Sequence, residues 1–184
     1  MSTVRFIADL HLGHNTIHEK AGMWRNNCKD SDEHDEWIIN QWNSVVKKQD
    51  LTWVLGDVAF KKSHLEKLKK MNGVKHLILG NHDEYSLDLY SKYFNKIHGF
   101  MKYKGFWLSH APILYTRKIW NIHGHTHGAA CIDGCSSTKH FCVSIEALNG
   151  VPITLDRIKE RIELDAQITR DLLKVAENYK KGYE

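Results

Sequence analysis

Three short apolar runs mark the first half of the chain: VRFIAD (4–9), LTWVLGD (51–57) and HLILGNHD (76–83). Their apolar residues are successive rather than alternate, and each run stops at a small residue followed by polar ones. Such runs read as strands buried on both faces. Between the first two, Trp37, Ile38, Trp42, Val45 and Val46 share one face at helical spacing, with Ser31 or Asp32 placed to cap the start. Between the second and third, SHLEKLKKM puts Leu65, Leu68 and Met71 on one helical face, and Asn72-Gly73 stops it. Strand, helix, strand, helix, strand predicts a parallel sheet with helical crossovers.

The second half changes character. HGFMKYKGFWLSH (98–110) predicts two strands joined at Lys104-Gly105. KIWNIHG (118–124) and FCVSIEAL (141–148) predict further strands. Thr154 caps a helix carrying Leu155, Ile158 and Ile162, and another helix from about Leu164 carries Leu164, Ile168, Leu172 and Val175 as a narrow apolar stripe. That stripe is expected to pack on the core rather than to bind a second chain. Pro occurs only at 112 and 152, and there is no repeat and no linker rich in Pro, Gly or Ser. One domain over 1–184 is expected, with a C-terminal helical extension at about 165–180.

Composition adds bounds. The chain has 184 residues, 42% hydrophobic and 26% charged, which suits a globular domain with a full core and argues against disorder. Net charge is +4. That suits a phosphorylated substrate but is too weak and scattered to establish nucleic-acid binding. The start lacks the basic and apolar regions of a signal peptide, and no apolar stretch has the length of a membrane span, so a cytoplasmic protein without membrane attachment is expected. Four cysteines, at 28, 131, 135 and 142, are too few for a disulfide framework and default to free thiols. The abnormal count is that of histidine, thirteen residues in all.

Function in open α/β sheets gathers at the carboxyl ends of strands. Those ends supply Asp9 and His11, then Asp57, then Asn81 and His82, then His110, then His125 and His127. Most sit beside a glycine: Gly13, Gly56, Gly80 or Gly124. The ligand arithmetic suits two metal ions. Asp9, His11, Asp57 and one of the last two histidines can hold the first, while Asp57, Asn81, His110 and the other histidine can hold the second. The nitrogen and oxygen donors accept Mn, Fe, Zn, Co or Ni.

Asp9-Leu10-His11, Gly56-Asp57, Gly80-Asn81-His82-Asp83, His110 and Gly124-His125-Thr126-His127 form five ordered blocks. This order resembles the calcineurin-like metallophosphoesterases. CVSIEALNGVPITLDRI (142–158) also resembles the closing segment of small prokaryotic and phage members, so the likeness covers roughly residues 3 to 163. The resemblance implies an α/β fold (α+β in some schemes): a β-sandwich flanked by helices in αββα layers, with the active site at the carboxyl ends of strands. It implies two divalent metal ions, manganese being the first choice in vitro. Asp9, His11, Asp57 and His127 would bind one, and Asp57, Asn81, His110 and His125 the other. It further implies attack on phosphorus by a hydroxide bridging metals about 3.5–4 Å apart, with His82 as general acid. No covalent phosphoenzyme is expected.

The remaining candidates carry less. His14 and Arg117 are candidate substrate contacts, each set against an exposed side chain with no ligand. His123 reads as a strand residue with a hydrogen bond. Lys61, Lys62, Lys67, Lys69 and Lys70 read as a solvated face. Cys131, Cys135, His140 and Cys142 lack a usual zinc spacing, although oxidation of Cys131 and Cys135 would act close to His127. The expected substrate is a phosphomonoester or a small phosphodiester, with a phosphorylated small molecule or nucleotide as partner. Two alternatives are a nuclease, with DNA or RNA as partner, and a catalytically silent metal-bound scaffold. Loops 14–31, 111–118 and 129–140 would shape the pocket.

Overall fold

A computed structural model describes residues 2–17, 25, 28–114, 119–128 and 139–181, with side chains described as far as 174. The chain divides into two compact units, 1–153 and 154–184. Within the first, a five-stranded sheet has the order β4-β3-β2-β1-β9. Its strands are β1 (Val4–Ile7), β2 (Leu51–Leu55), β3 (Val74–Ile78), β4 (Lys96–His98) and β9 (Ile153–Thr154). β1 through β4 pair in parallel, with Phe6 opposite Trp53 and Trp53 opposite His76. A four-stranded sheet has the order β5-β6-β7-β8, from β5 (Met101–Tyr103), β6 (Phe106–Leu108), β7 (Asn121–His123) and β8 (His140–Cys142).

The apolar runs have two buried faces because the sheet is covered twice. Ile7, Val54 and Leu77 join the core under the helices. Their neighbours Phe6 and Trp53 meet Tyr103 of the second sheet, with ring centroids 6.3 and 5.4 Å apart. Successive side chains point to opposite faces of a strand, so a run buried on both sides must be apolar throughout.

Helix α1 (Ser31–Val45) buries Ile38, Ile39 and Trp42. Its cap is Asp30, not Ser31 or Asp32: the Asp30 carboxylate accepts from the backbone N–H of Asp32 at 3.1 Å and Glu33 at 2.9 Å. Asp30 carries the extended backbone that capping requires, whereas Ser31 already lies inside the first turn. The segment Lys62–Lys70 is a 3-10 helix. Leu65, Leu68 and Met71 recur every third residue, and a turn of three residues aligns them on one buried face. Lys67 departs from the solvated-face expectation. It is drawn in by Asp32 at 2.6 Å and Asp35 at 3.0 Å. A short helix α2 (Leu87–Tyr90) follows β3 and buries Tyr90.

Lys104 and Gly105 both have positive φ, 45° and 88°, the backbone of a tight hairpin turn between β5 and β6. The strand expected over 141–148 is shorter. β8 ends at Cys142, and a helical turn α3 (Ile145–Leu148) takes over. Between them the chain crosses to the first sheet, where Ala8 N–H donates to Val143 at 2.8 Å and Ile145 N–H to Ala8 at 3.2 Å. Ile145 and Leu148 are both buried, and their three-residue spacing suits a helical turn rather than a strand.

In the second unit, the two expected helices are one, α4 (Leu155–Lys181). Thr154 caps it, accepting from Arg157 N–H at 3.2 Å. No glycine or proline interrupts 155–181, and pairs such as Arg157–Glu160, Gln167–Asp171 and Lys174–Asp171 support the helix locally. Leu164, Ile168 and Leu172 are exposed, at 59%, 48% and 65%. The Val175 side chain lies outside the described residues. No described helix is long and apolar enough to cross a membrane.

Candidate active site

The parallel strands deliver their chemistry just past their carboxyl ends. Asp9 and His11 follow β1, Asp57 follows β2, Asn81 and His82 follow β3, His110 follows β6, and His125 and His127 follow β7. The backbone there is strained. Among the described residues, seven non-glycine positions have positive φ, and five of them are Asp9, His11, Asp57, His125 and His127. A side chain in this region costs energy, and such strain persists where the surroundings hold it for function. Two glycines make room. Gly56, at φ 85°, and Gly80 approach so closely that a Cβ on Gly56 would lie 2.6 Å from the Gly80 Cα and would strike the His110 ring. A Cβ on Gly80 would lie 2.5 Å from the Asp57 amide nitrogen.

Two groups of donor atoms converge within 4.8 Å: Asp9, His11 and His127, and Asp9, Asp57 and His110. Asp57 Oδ2 stands between the groups, 3.6 Å from His11 Nε2 and 3.5 Å from His110 Nε2. Asn81 and His125 lie beside the second group. The Asn81 Oδ1 lies 2.9 Å from both His110 Nε2 and His125 Nδ1, and these two nitrogens are 3.1 Å apart. His110 Nδ1 is 2.8 Å from the Leu55 carbonyl. It must donate there, and in a neutral ring Nε2 is then the nitrogen that can serve as a ligand. Asp9 is fully buried, and His11, Asp57 and His110 nearly so, while Asn81 and His125 are exposed. The second group is therefore the open mouth of the site.

Divalent cations fit these residues. His11 is 4% exposed, yet neither ring nitrogen has a hydrogen-bond partner. Its Nε2 is 3.8 Å from Asp9 and 3.6 Å from Asp57. These distances are too long for hydrogen bonds. Burying an imidazole without partners is costly, and a cation among these lone pairs removes that cost. Burial raises the Asp9 carboxyl, but the His11 contact and the fields of His110 and His127 outweigh it and hold the group at about 2. Burial lowers His11 despite the opposing pull of Asp9. Asp9 is thus an anion, and His11 favours the neutral form that binds metals.

His82 sits at the rim. Its backbone N–H donates to Asp57 Oδ1 at 3.0 Å and its exposed ring packs 4.7 Å from Phe60. Asp83 ties the loops together, accepting from Asp57, Val58 and Gly80 N–H groups and from the Tyr90 hydroxyl. His14 stands 5.9 Å from the His11 ring and accepts from Thr16 N–H at 3.2 Å, which leaves its proton on Nε2. His123 is buried, with Nδ1 2.8 Å from the Gly124 carbonyl, and burial lowers it to about 4. Cys142 is half-buried and free, as is the buried Cys28. Arg117, Cys131 and Cys135 lie outside the described residues.

Three residues near the site escape sequence reasoning. Phe60 is one, touching His11 (5.0 Å, stacked), His14 (4.3 Å, edge-on) and His82. The others are Glu146 and Arg25. Glu146 Oε2 lies 3.1 Å from His127 Nδ1, and Arg25 Nε lies 2.8 Å from Glu146 Oε1. The first is a close histidine–carboxylate contact and the second a close ion pair, and neither has the alignment of a full hydrogen bond. The Glu146 contact raises His127 against the effect of burial. Glu146 lies four residues past the end of β8, inside a run whose apolar pattern reads as strand, so spacing gives it no signal.

The family model for calcineurin-like phosphoesterases matches residues 2–175. The chain is 32% identical over 176 residues to uncharacterized protein MJ1445 of Methanocaldococcus jannaschii, covering 89% of this chain and 93% of that protein. It is 41% identical over 88 residues to the Gene 66 protein of Mycobacterium phage L5, covering 45% of this chain and 41% of the phage protein. A crystal structure of a protein of unknown function from Aquifex aeolicus, AQ665, superposes with a TM-score of 0.64 at 21% identity, covering 87% of this chain and 99% of that one. That likeness carries the fold alone. The match over nearly the whole chain, joined to the strand-end carboxylates and histidines, places this protein in the calcineurin-like phosphoesterase family.

Proposed function

We propose that this chain hydrolyses phosphomonoesters or small phosphodiesters at a dinuclear metal centre. The observation that carries the reading is Asp57 Oδ2, set 3.6 and 3.5 Å from the His11 and His110 Nε2 atoms of two donor groups. Asp9, His11, Asp57 and His127 hold one ion, and Asp57, Asn81, His110 and His125 the other. Two divalent ions so held supply Lewis-acid stabilisation of the phosphoryl oxygens and a nucleophile at neutral pH, with manganese the first choice in vitro.

The chain's own residues do the rest. Asp57 anchors the His82 backbone through Oδ1 while Oδ2 faces the donor groups. His82 is thereby tied to the position of the phosphoryl group, and its exposed ring donates a proton to the leaving oxygen. His14, held against Phe60, faces the same rim and contacts the phosphoryl group. Beside Asn81, His110 and His125 lies an open cleft of about 530 Å³, lined also by Leu79, Phe100, Ala111 and Ile113. A cleft of this size suits the organic part of a small ester or nucleotide.

The test is hydrolysis of p-nitrophenyl phosphate and bis-p-nitrophenyl phosphate by metal-stripped protein, with Mn²⁺ restored, beside Asp57→Asn. Manganese-dependent turnover that falls more than about a hundredfold in the variant is expected, a larger loss than outer-shell changes give. Turnover that is independent of metal, or equal in the variant, overturns the reading. Metal uptake with no turnover on these esters, nucleotides or nucleic acid favours the scaffold.

A further inference from the structure

His127 differs from the other candidate ligands in what stands behind it. His110 is oriented by a backbone carbonyl of β2. His127 instead backs onto a carboxylate whose own partner is a fully buried arginine. Glu146 lies in α3, and Arg25 comes from the segment between β1 and α1. Arg25 is 0% exposed. Its guanidinium donates to the Asp9 carbonyl at 2.5 Å and reaches the Leu10 carbonyl at 3.4 Å and His34 Nε2 at 3.2 Å. One side chain therefore grips both the backbone that carries Asp9 and the carboxylate behind His127.

We propose that Glu146, held in place by Arg25, is the positioning residue for His127, fixing its proton on Nδ1 so that Nε2 is the atom presented to the metal. The inference rests on the metal reading of the site. Its chemistry is simple. A bare Nδ1 lone pair set 3.1 Å from a carboxylate oxygen would be repelled, whatever the alignment, so Nδ1 carries the proton. The remaining nitrogen, Nε2, is the one free to join Asp9 and His11. An unpaired Glu146, 10% exposed at its side chain, would be costly to bury, and Arg25 neutralises it. Arg25 also requires a proton-free His34 Nε2, because a guanidinium only donates. His34 Nδ1 then donates to Asp35 at 3.1 Å. A continuous polar chain thus runs from His127 through Glu146, Arg25 and His34 to Asp35.

The proposal separates the two ions. Titrating metal-stripped protein with Mn²⁺ by calorimetry, with metal content checked by mass spectrometry, should give two ions for the wild type. Glu146→Ala should weaken one ion by about 10–100-fold and leave the other unchanged. Glu146→Gln keeps an oxygen that accepts from Nδ1–H, and should recover most of the loss. Equal weakening of both ions in Glu146→Ala, or two ions bound as in the wild type, overturns the proposal. Should Glu146→Ala fail to fold, the wild type still decides. Ring ¹⁵N shifts of His127 in the ¹¹³Cd-loaded protein should show a protonated Nδ1 and cadmium coupling to Nε2, and coupling to Nδ1 overturns it. If the wild type binds no ion, the metal reading falls separately, and the ¹⁵N shifts of the metal-free protein still report whether Glu146 sets the tautomer.

Discussion

Among the described residues, two clusters have the composition of a metal site. One is built on Asp9, His11, Asp57, His110 and His127, and the other on Asp32, Asp35 and His64, whose donor atoms also fall within 4.8 Å of one another. They differ in what fills the middle. In the second cluster, Lys67 Nζ lies 2.6 Å from Asp32 and 3.0 Å from Asp35, while Asp35 also holds His64 at 2.6 Å and accepts twice from Gly13 N–H at 3.1 Å. The chain supplies its own cation there. In the first cluster no described lysine enters, His11 lacks a hydrogen-bond partner on either ring nitrogen, and the backbone of the donors is strained. Composition nominates both clusters. Partner satisfaction marks the second as structural, while missing partners and strain support the proposed metal role of the first.

The comparison makes opposite predictions for two aspartates. Asp9→Asn should lower Mn²⁺ affinity by more than about a hundredfold, beyond the range of outer-shell changes, because Asp9 belongs to both donor groups. Asp35→Asn should leave two ions bound but cost about 3 kcal/mol, since it strips a buried carboxylate from Lys67 and His64. Calorimetric metal titration and urea unfolding read the two effects. Metal loss in Asp35→Asn would break the comparison.

Acid stability sharpens it. Burial raises the Asp35 carboxyl, but bonds from His34, His64, Lys67 and Gly13 N–H outweigh this and lower it below its ordinary value. Asp35 therefore stabilises the fold fully above its unfolded value of about 3.9, and that contribution is lost as pH falls through the lower folded value. Unfolding free energy from pH 6 to 2.5 should decline less steeply in Asp35→Asn than in the wild type. Equal slopes would remove Asp35 from the acid transition.

The smallest effect belongs to α4. Leu172 is 65% exposed, so Leu172→Lys should change stability by no more than about 0.5 kcal/mol. A larger loss in thermal or urea unfolding would mean that its stripe is covered in solution.

Much of this was written locally. Continuous apolar runs fixed β1 to β3 because a strand buried on both faces has no polar option, and the Lys104-Gly105 pair fixed the hairpin because few residues accept two successive positive φ angles. The strand-end motif named the donors in order. Local pattern failed where two periods competed. Residues 141–148 are apolar enough for a strand, and only the crossing to Ala8 shows that Ile145 and Leu148 belong to a helical turn. It failed likewise at 163–164, where nothing in the sequence breaks the helix that was expected to end.

The sequence by itself determined the donor inventory, its placement at strand ends and the family, because spacing and periodicity are properties of near neighbours. Only the tertiary structure decided which acidic cluster receives Lys67, that Phe60 packs against three histidines, and that Arg25 and Glu146 stand behind His127. Those contacts join residues such as Arg25 and Glu146, far apart in the chain, and no local rule of burial or spacing encodes which distant charge will neutralise another.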